Sequence, residues 1–418
     1  MASDSPKLSE DLLRSLDKMD AEERISVIVR YVPTRRVMRH RRPMRGVREG
    51  YQYRLRPFVQ MEATPEAIQR LQEDDEVVRI YEDRPVRAFL DTSVPHIGIP
   101  RLWQTGLTGV NVRIAILDTG IDAEHPDFEG RIGEATDFTG EGPHDRNGHG
   151  THCASIAVGS GAASGGRYRG VAPGATLYSA KVLRSDGRGM MSDVMAGVDW
   201  AVAHGVQIFS LSLGAEGSCD GTDALSEICD AAVEAGVVAC VAAGNEGPGN
   251  YTVGSPGCAR QVITIGACDE SGRVAAFSSR GPTKDGRVKP DVLLPGVDIV
   301  AARAQGTFMG RIIDGMYTSS NGTSMATPHA AGLCALLLEA KPQLTPQEIK
   351  RRLMATAVDL GLNPFVQGRG RVDAWAALTQ EVLPGPEPTP PPPPPPGPAT
   401  GQGCMLALVE MLLSGRRR

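Results

Sequence analysis

The sequence contains no apolar run of the roughly 18 or more residues that a membrane-spanning helix needs. Its first stretch, MASDSPKLSEDLLRSLDKMD, is charged and lacks the continuous apolar core of a secretory leader. Together these point to a cytoplasmic protein, with export by another route left open. The eight cysteines form no CxxC pair and no metal-ligand spacing. Without a leader, reduced thiols are the default; Cys219 and Cys229, which flank one short segment, are the pair weighed as an exception. No strong positive balance exists either: the net charge is −5, which gives nucleic acid no general attraction. A glycine-rich GxGxxG turn after the first strand of the main domain is missing, so a dinucleotide fold has no support.

What is present falls into segments. Residues 1–21 read as a short polar helix or loose end. Residues 22–90 read as a small α+β unit: a strand in RISVIVRYV, an Arg-rich loop RRVMRHRRPMRGVRE, a strand in YRLRPFVQME, a helix capped by Thr64, then extended stretches in VVRIYEDRPVRAFL. The Arg-rich loop has no interleaved aromatics and reads as solvated rather than nucleic-acid binding. From 91 to 383 short β-branched runs alternate with helical stretches, the pattern of βαβ units around a mostly parallel sheet. Ligands in such folds sit at the carboxyl ends of the strands. Residues 384–403 form a proline-rich linker, stiff and extended. The tail 404–418, CMLALVEMLLSGRRR and its neighbours, reads as a partner helix or weak membrane-surface contact, with a frayed end as the alternative.

The chemistry begins in IAILDTGID, where Asp118-Thr119-Gly120 ends a strand. One protease chemistry with those letters pairs two aspartates that share a proton, but no second DTG or DSG occurs and bulky Ile121 follows Gly120. The other uses a single aspartate to orient a histidine. His149 stands in DRNGHGTHCAS between glycines that permit close approach. Ser324, in SSNGTSMATPHAAG, sits at the start of an apolar helix, where backbone N–H groups favour negative charge. Asn245 in AAGNEGPG adds an amide at a strand end. Asp, then His, then Ser is one of the known chain orders of a single catalytic geometry.

The stretches AILDTGID, DRNGHGTHCAS, SLSLG, VAAGNEGPG and NGTSMATPHAAG together resemble the subtilisin-like serine proteases, most closely the intracellular branch. The resemblance runs from about residue 91 to 380. It implies a three-layer α/β domain with a mostly parallel central sheet, preceded by a small α+β propeptide. It implies that Ser324 attacks, His149 moves the proton, Asp118 orients His149, and Asn245 with the Ser324 N–H binds the oxyanion. Peptide substrate is expected to lie between Gly187-Arg188-Gly189 and Ser212-Leu213-Gly214, with Met191 lining an apolar pocket. Ala243, Gly244 and Glu246 belong to the primary pocket and its rim. Residues 24–90 resemble the family's inhibitory propeptide, with self-cleavage expected between Leu90 and Asp91. The resemblance thus implies a zymogen of broad specificity with an apolar preference. A protease-shaped binding protein without turnover is the reading from another class, and the intact triad argues against it.

No cofactor is expected for catalysis. Asp127 matches a family calcium ligand, but GSGAASGG replaces the loop carrying the others, so calcium there is doubtful and a structural Ca2+ elsewhere stays open. His152 and Cys153 are expected to be packed residues rather than catalytic ones. Leu294 stands where the family carries alanine, which puts local packing in question.

Overall fold

The computed structural model describes residues 7–8, 10–16, 19–20, 22–32, 44–52, 58–82 and 90–382. Most of the Arg-rich loop, Arg87-Ala88-Phe89, the proline-rich linker and the tail therefore lie outside the described residues. The chain divides into two compact units, Met1–Arg87 and Ala88–Arg418.

The first unit is built on a four-stranded antiparallel sheet of β1 (Ile25–Tyr31), β2 (Val47–Gln52), β3 (Phe58–Ala63) and β4 (Val77–Glu82), in the order β2-β3-β1-β4. Alternation in β1 sends Val27, Val29 and Tyr31 into the core. Helix α1 (Glu10–Leu16) contributes buried Leu12, so the amino-terminal segment has a packed turn rather than only a loose end. Helix α2 (Pro65–Glu73) starts where the Thr64 side chain accepts from Ala67 N, and it buries Ala67, Ile68 and Leu71. Strand β2 overlaps the Arg-rich segment read as a loop. Its sequence, VREGYQ, has little strand propensity, and backbone pairing to β3, Val47 opposite Ala63, holds it extended.

The second unit carries seven parallel strands: β5 (Arg113–Asp118), β6 (Ile132–Asp137), β7 (Thr176–Lys181), β8 (Ile208–Leu211), β9 (Val238–Ala242), β10 (Ile263–Cys268) and β11 (Val292–Pro295), in the order β11-β10-β9-β8-β5-β7-β6. Helices α3 (Leu90–His96) and α4 (Ile99–Gln104) precede it; α5 (His149–Val158), α6 (Met191–Ala203), α7 (Ala224–Glu234) and α8 (Thr323–Ala340) cover it. Strand alternation divides the core. Ala115, Leu117 and Phe209 pack with Val198, Cys229 and Val233 of α6 and α7. Ile114, Ile116 and Ile208 pack with Ile156 of α5 and Leu333 and Leu336 of α8. Both faces are covered over the middle of the sheet, so β8, β9, β10 and β11 are buried at every position, whereas the edge strand β6 is half-exposed. Leu294 is fully buried opposite Ala267, so the larger side chain is absorbed in the core.

A three-stranded antiparallel sheet of β12 (Ile299–Ala302), β13 (Arg311–Ile312) and β14 (Tyr317–Ser320), in the order β12-β14-β13, leads into α8. Helices α9 (Pro346–Ala355), α10 (Pro364–Gln367) and α11 (Ala374–Thr379) close the unit.

The bridge weighed between Cys219 and Cys229 is replaced by Cys219–Cys258, with Cα atoms 5.9 Å apart. Ala215 N donates to Ser255 O (2.8 Å), laying the loop after β8 on the loop after β9 and bringing those two sulfurs together. Cys229 stays a buried free thiol within α7.

Candidate active site

Parallel strands deliver the candidate residues to one edge. Asp118 ends β5, Ser212-Leu213-Gly214 follow β8, and Ala243-Gly244-Asn245 follow β9. His149 opens α5, and Ser324 is the second residue of α8. The DTG and GHG glycines have a spatial reason: Gly120 has φ +109°, and a Cβ on Gly150 would lie 2.2 Å from Gly120 O. The first turn of α5 therefore rests directly on the turn after Asp118.

Asp118 is buried, and its Oδ1 accepts from Thr119 N (2.7 Å) and faces His149 Nδ1 at 2.7 Å. Burial by itself lowers an imidazole's pKa, but the Asp118 carboxylate outweighs it and raises His149 well above its ordinary value. Nε2 is the other ring nitrogen, opposite the one held by Asp118. Ser324 Oγ donates to Ser212 O (2.9 Å), and Ser212 Oγ returns a bond to Ser324 O (2.8 Å). Asn245 Oδ1 accepts from Thr323 N (2.9 Å) and Thr323 Oγ1 (3.1 Å), which fixes the amide with Nδ2 as its remaining, donating end.

Two supports escape motif reading. Asp145 is fully buried; its Oδ1 accepts from Thr119 Oγ1, Asn147 N and Gly148 N, and its Oδ2 from Thr151 N. It ties the Asp118 turn, the His149 loop and the start of α5 to one carboxylate. Its position four residues before His149 in DRNGH was the available signal. Lys181, also fully buried, donates to Thr119 O and Leu183 O, each at 2.9 Å, and so joins the Asp118 turn to the edge where peptide is expected.

Gly187, Arg188, Gly189, Met191, Ser212, Leu213 and Gly214 line one cleft of about 610 Å³ together with His149. Val194 and Leu225, absent from the sequence expectation, also line it, as does Met190 just before α6; Val194 and Leu225 are apolar helix residues with no sequence mark that separates them from core. Ala243, Gly244, Asn245, Glu246 and Ser324 line an adjoining pocket of about 330 Å³ that shares Ser212–Glu216 with the cleft. Leu90 and Asp91 begin α3, but their side chains lie outside the described residues.

His152 is buried with Nε2 near Ile299 O (3.1 Å) and Thr318 O (3.2 Å), a packing role; burial pushes its pKa down to about 3. Cys153 Sγ lies 3.8 Å from His149 Nδ1, and burial pushes its thiol up, away from a nucleophile's requirement.

Asp127 does not fit a calcium site. Both its carboxylate oxygens accept from the Tyr317 hydroxyl (3.0 Å each), and Oδ1 also accepts from Ala163 N (3.1 Å) in the replaced loop. The neighbours offer donors where a cation needs oxygen acceptors.

Known proteins resemble this chain over most of its length. Residues 109–371 match the model of the subtilase family, peptidase S8. The chain is 40% identical over 342 residues to serine protease AprX of Bacillus subtilis (strain 168), covering 75% of this chain and 77% of that protein. It is 38% identical over 318 residues to subtilisin E of the same strain, covering 74% and 78%. A solved structure of a cold adapted subtilisin-like serine proteinase superposes with a TM-score of 0.52 at 31% identity, covering 64% of this chain and 88% of that one. The chain belongs to the subtilase family and is a serine-type endopeptidase, with the family's α/β architecture and its metal-free chemistry. No helix among the described residues is long and apolar enough to cross a membrane.

Proposed function

We propose that the chain cuts peptide bonds with Ser324 as nucleophile, His149 as general base and acid, and Asp118 as the carboxylate that fixes the imidazole tautomer. The 2.7 Å contact between Asp118 Oδ1 and His149 Nδ1, on a cleft that continues into the Ser324 pocket, carries this reading. An extended peptide adds as a strand between Gly187-Arg188-Gly189 and Ser212-Leu213-Gly214. Taking the Ser212 carbonyl as its own acceptor, it frees the Ser324 hydroxyl to turn toward His149 Nε2. Ser324 Oγ then attacks the carbonyl carbon while its proton passes to Nε2. The oxyanion accepts from Asn245 Nδ2 and Ser324 N, and Nε2 returns the proton to the leaving amine. Water repeats the sequence on the acyl-enzyme. The apolar lining by Met191, Val194 and Leu225 supports an apolar preference on the acyl side.

We further propose that residues 22–90 are an inhibitory propeptide released by cleavage between Leu90 and Asp91. The division of the chain into compact units at residue 87 supports it. The test is casein and peptide hydrolysis together with the mass and N-terminus of the product. Active protein is expected to begin at Asp91 and to be blocked by phenylmethylsulfonyl fluoride but not pepstatin. Ser324→Ala is expected to remain full length and inert; turnover surviving that change would overturn the assignment.

A further inference from the structure

The hairpin before Ser324 holds apolar surface that neither the triad nor the acyl-side cleft uses. Between β12 and β14 the chain runs out through residues 303–316 and returns, with β13 paired to β14 so that Arg311 lies opposite Ser319. Within nine residues stand three large apolar side chains in solvent: Phe308 is 80% exposed, Ile312 43% and Met316 45%. Such a concentration marks a binding surface more often than chance does. The loop is also pinned. Thr307 O accepts from Arg303 Nε (2.9 Å) and Nη2 (2.6 Å), Met309 O from Thr318 Oγ1 (2.7 Å), and Gln305 N donates to Asp122 Oδ2 (2.8 Å).

Its position relative to His149 says which part of a ligand it meets. The residues just before His149 face two ways. Asn147 Nδ2 donates to Ser185 O (3.1 Å), toward the edge that takes the acyl half of a peptide. Gly148 backs onto the hairpin: a Cβ there would lie 2.8 Å from Thr307 Oγ1 and 3.5 Å from Met309 Cβ. From its far end the hairpin runs through β14 directly to Ser324. It thus packs on the residue before His149 and leads in the chain to Ser324, while Asn147 holds the acyl edge. The leaving amine must emerge beside His149, which protonates it.

We propose that this hairpin is the wall that binds the leaving-group half of the substrate, with Phe308 selecting a large apolar side chain two or three residues beyond the scissile bond. The proposal rests on the peptidase reading above and names the specificity of that same site. A matched substrate series tests it: an acyl-peptide p-nitroanilide, which has no amino acid after the cut, and fluorescence-quenched peptides sharing its acyl half but carrying Leu or Ser in those positions. The parent is expected to favour the Leu peptide by about tenfold in kcat/KM. In Phe308→Ser that preference falls to within about threefold, while anilide turnover stays within about twofold of the parent. An absent preference in the parent, or one untouched by Phe308→Ser, overturns the proposal. Should Phe308→Ser lose anilide turnover as well, Ile312→Ser decides by the same ratio, and an unchanged ratio there overturns it. A parent that turns over neither the anilide nor any of the quenched peptides would instead refute the peptidase reading.

Discussion

Replacing Asp145 by Asn tests how the site is held together, because the change is isosteric and touches no reacting atom. Asp145 Oδ1 receives three donors, Thr119 Oγ1 (2.9 Å), Asn147 N (3.0 Å) and Gly148 N (2.8 Å). An Asn carbonyl placed there keeps all three bonds, minus the charge. The other oxygen receives only Thr151 N at 2.8 Å, and in Asn its place is taken by an NH2 group pointing at that N–H. One charge-assisted bond is lost and a fully buried donor is left facing another. A bond to a charged group contributes about 1.5–3 kcal/mol and an unsatisfied buried group costs about 1–3 kcal/mol, two descriptions that overlap, so the expected net loss is about 2–4 kcal/mol. Thr151 lies in the first turn of α5, whose first residue is His149, so the turn that carries the imidazole is loosened as well. Urea denaturation in the Ser324→Ala background, where self-digestion is absent, measures the stability; kcat/KM in the active background measures the site. A midpoint equivalent to less than about 0.5 kcal/mol of change, within the range of ordinary surface substitutions, would refute the reasoning.

His149 is raised above the ordinary imidazole value by Asp118, and in the proposed mechanism it accepts a proton only when neutral, so the acid limb of kcat/KM is expected above pH 6.5. Asp118→Asn removes the cause: the limb moves to lower pH and kcat falls by about 10⁴, both read from a pH–rate profile. The sign for stability is opposite: the pair's contribution is complete below the unfolded imidazole value and is lost as pH rises through the raised folded one. Tyr317→Phe removes the hydroxyl that both Asp127 oxygens accept from, at an expected cost of about 1–3 kcal/mol in urea midpoint. Added calcium is expected not to restore that loss.

The legible parts of this molecule were those where chemistry or sterics admits few residue types. Asp118, His149, Asn245 and Ser324 could be named because each sits in a string whose glycines are required by close contact or by a positive φ, as Gly150 is against Gly120 and Gly322 is at φ +153°. The parallel sheet could be named because β5, β8 and β9 are apolar on both faces. Strand β2 could not, since its pairing to β3 rather than its own side chains keeps it extended. Nor could the Cys219–Cys258 bridge, which spans 39 residues and depends on two loops meeting at Ala215 and Ser255.

The same reasoning explains why the acyl-side pocket was only partly foreseen. Gly187, Arg188 and Gly189 announce themselves as a turn, whereas Val194 and Leu225 are apolar helix positions that any core would contain. What makes them cleft walls is that the packed fold sets the first turns of α6 and α7, which carry them, beside the cleft. On the reading proposed above, specificity resides where sequence is least restrictive: helix ends on the acyl side and the 303–316 hairpin on the other. The proposed reacting groups are held by buried polar residues such as Asp145 and Lys181, whose substitution is expected to affect every substrate alike. Changes to the cleft walls should then alter the ratio between substrates, and changes to the buried anchors their common rate, a separation that the Phe308 and Asp145 variants measure together.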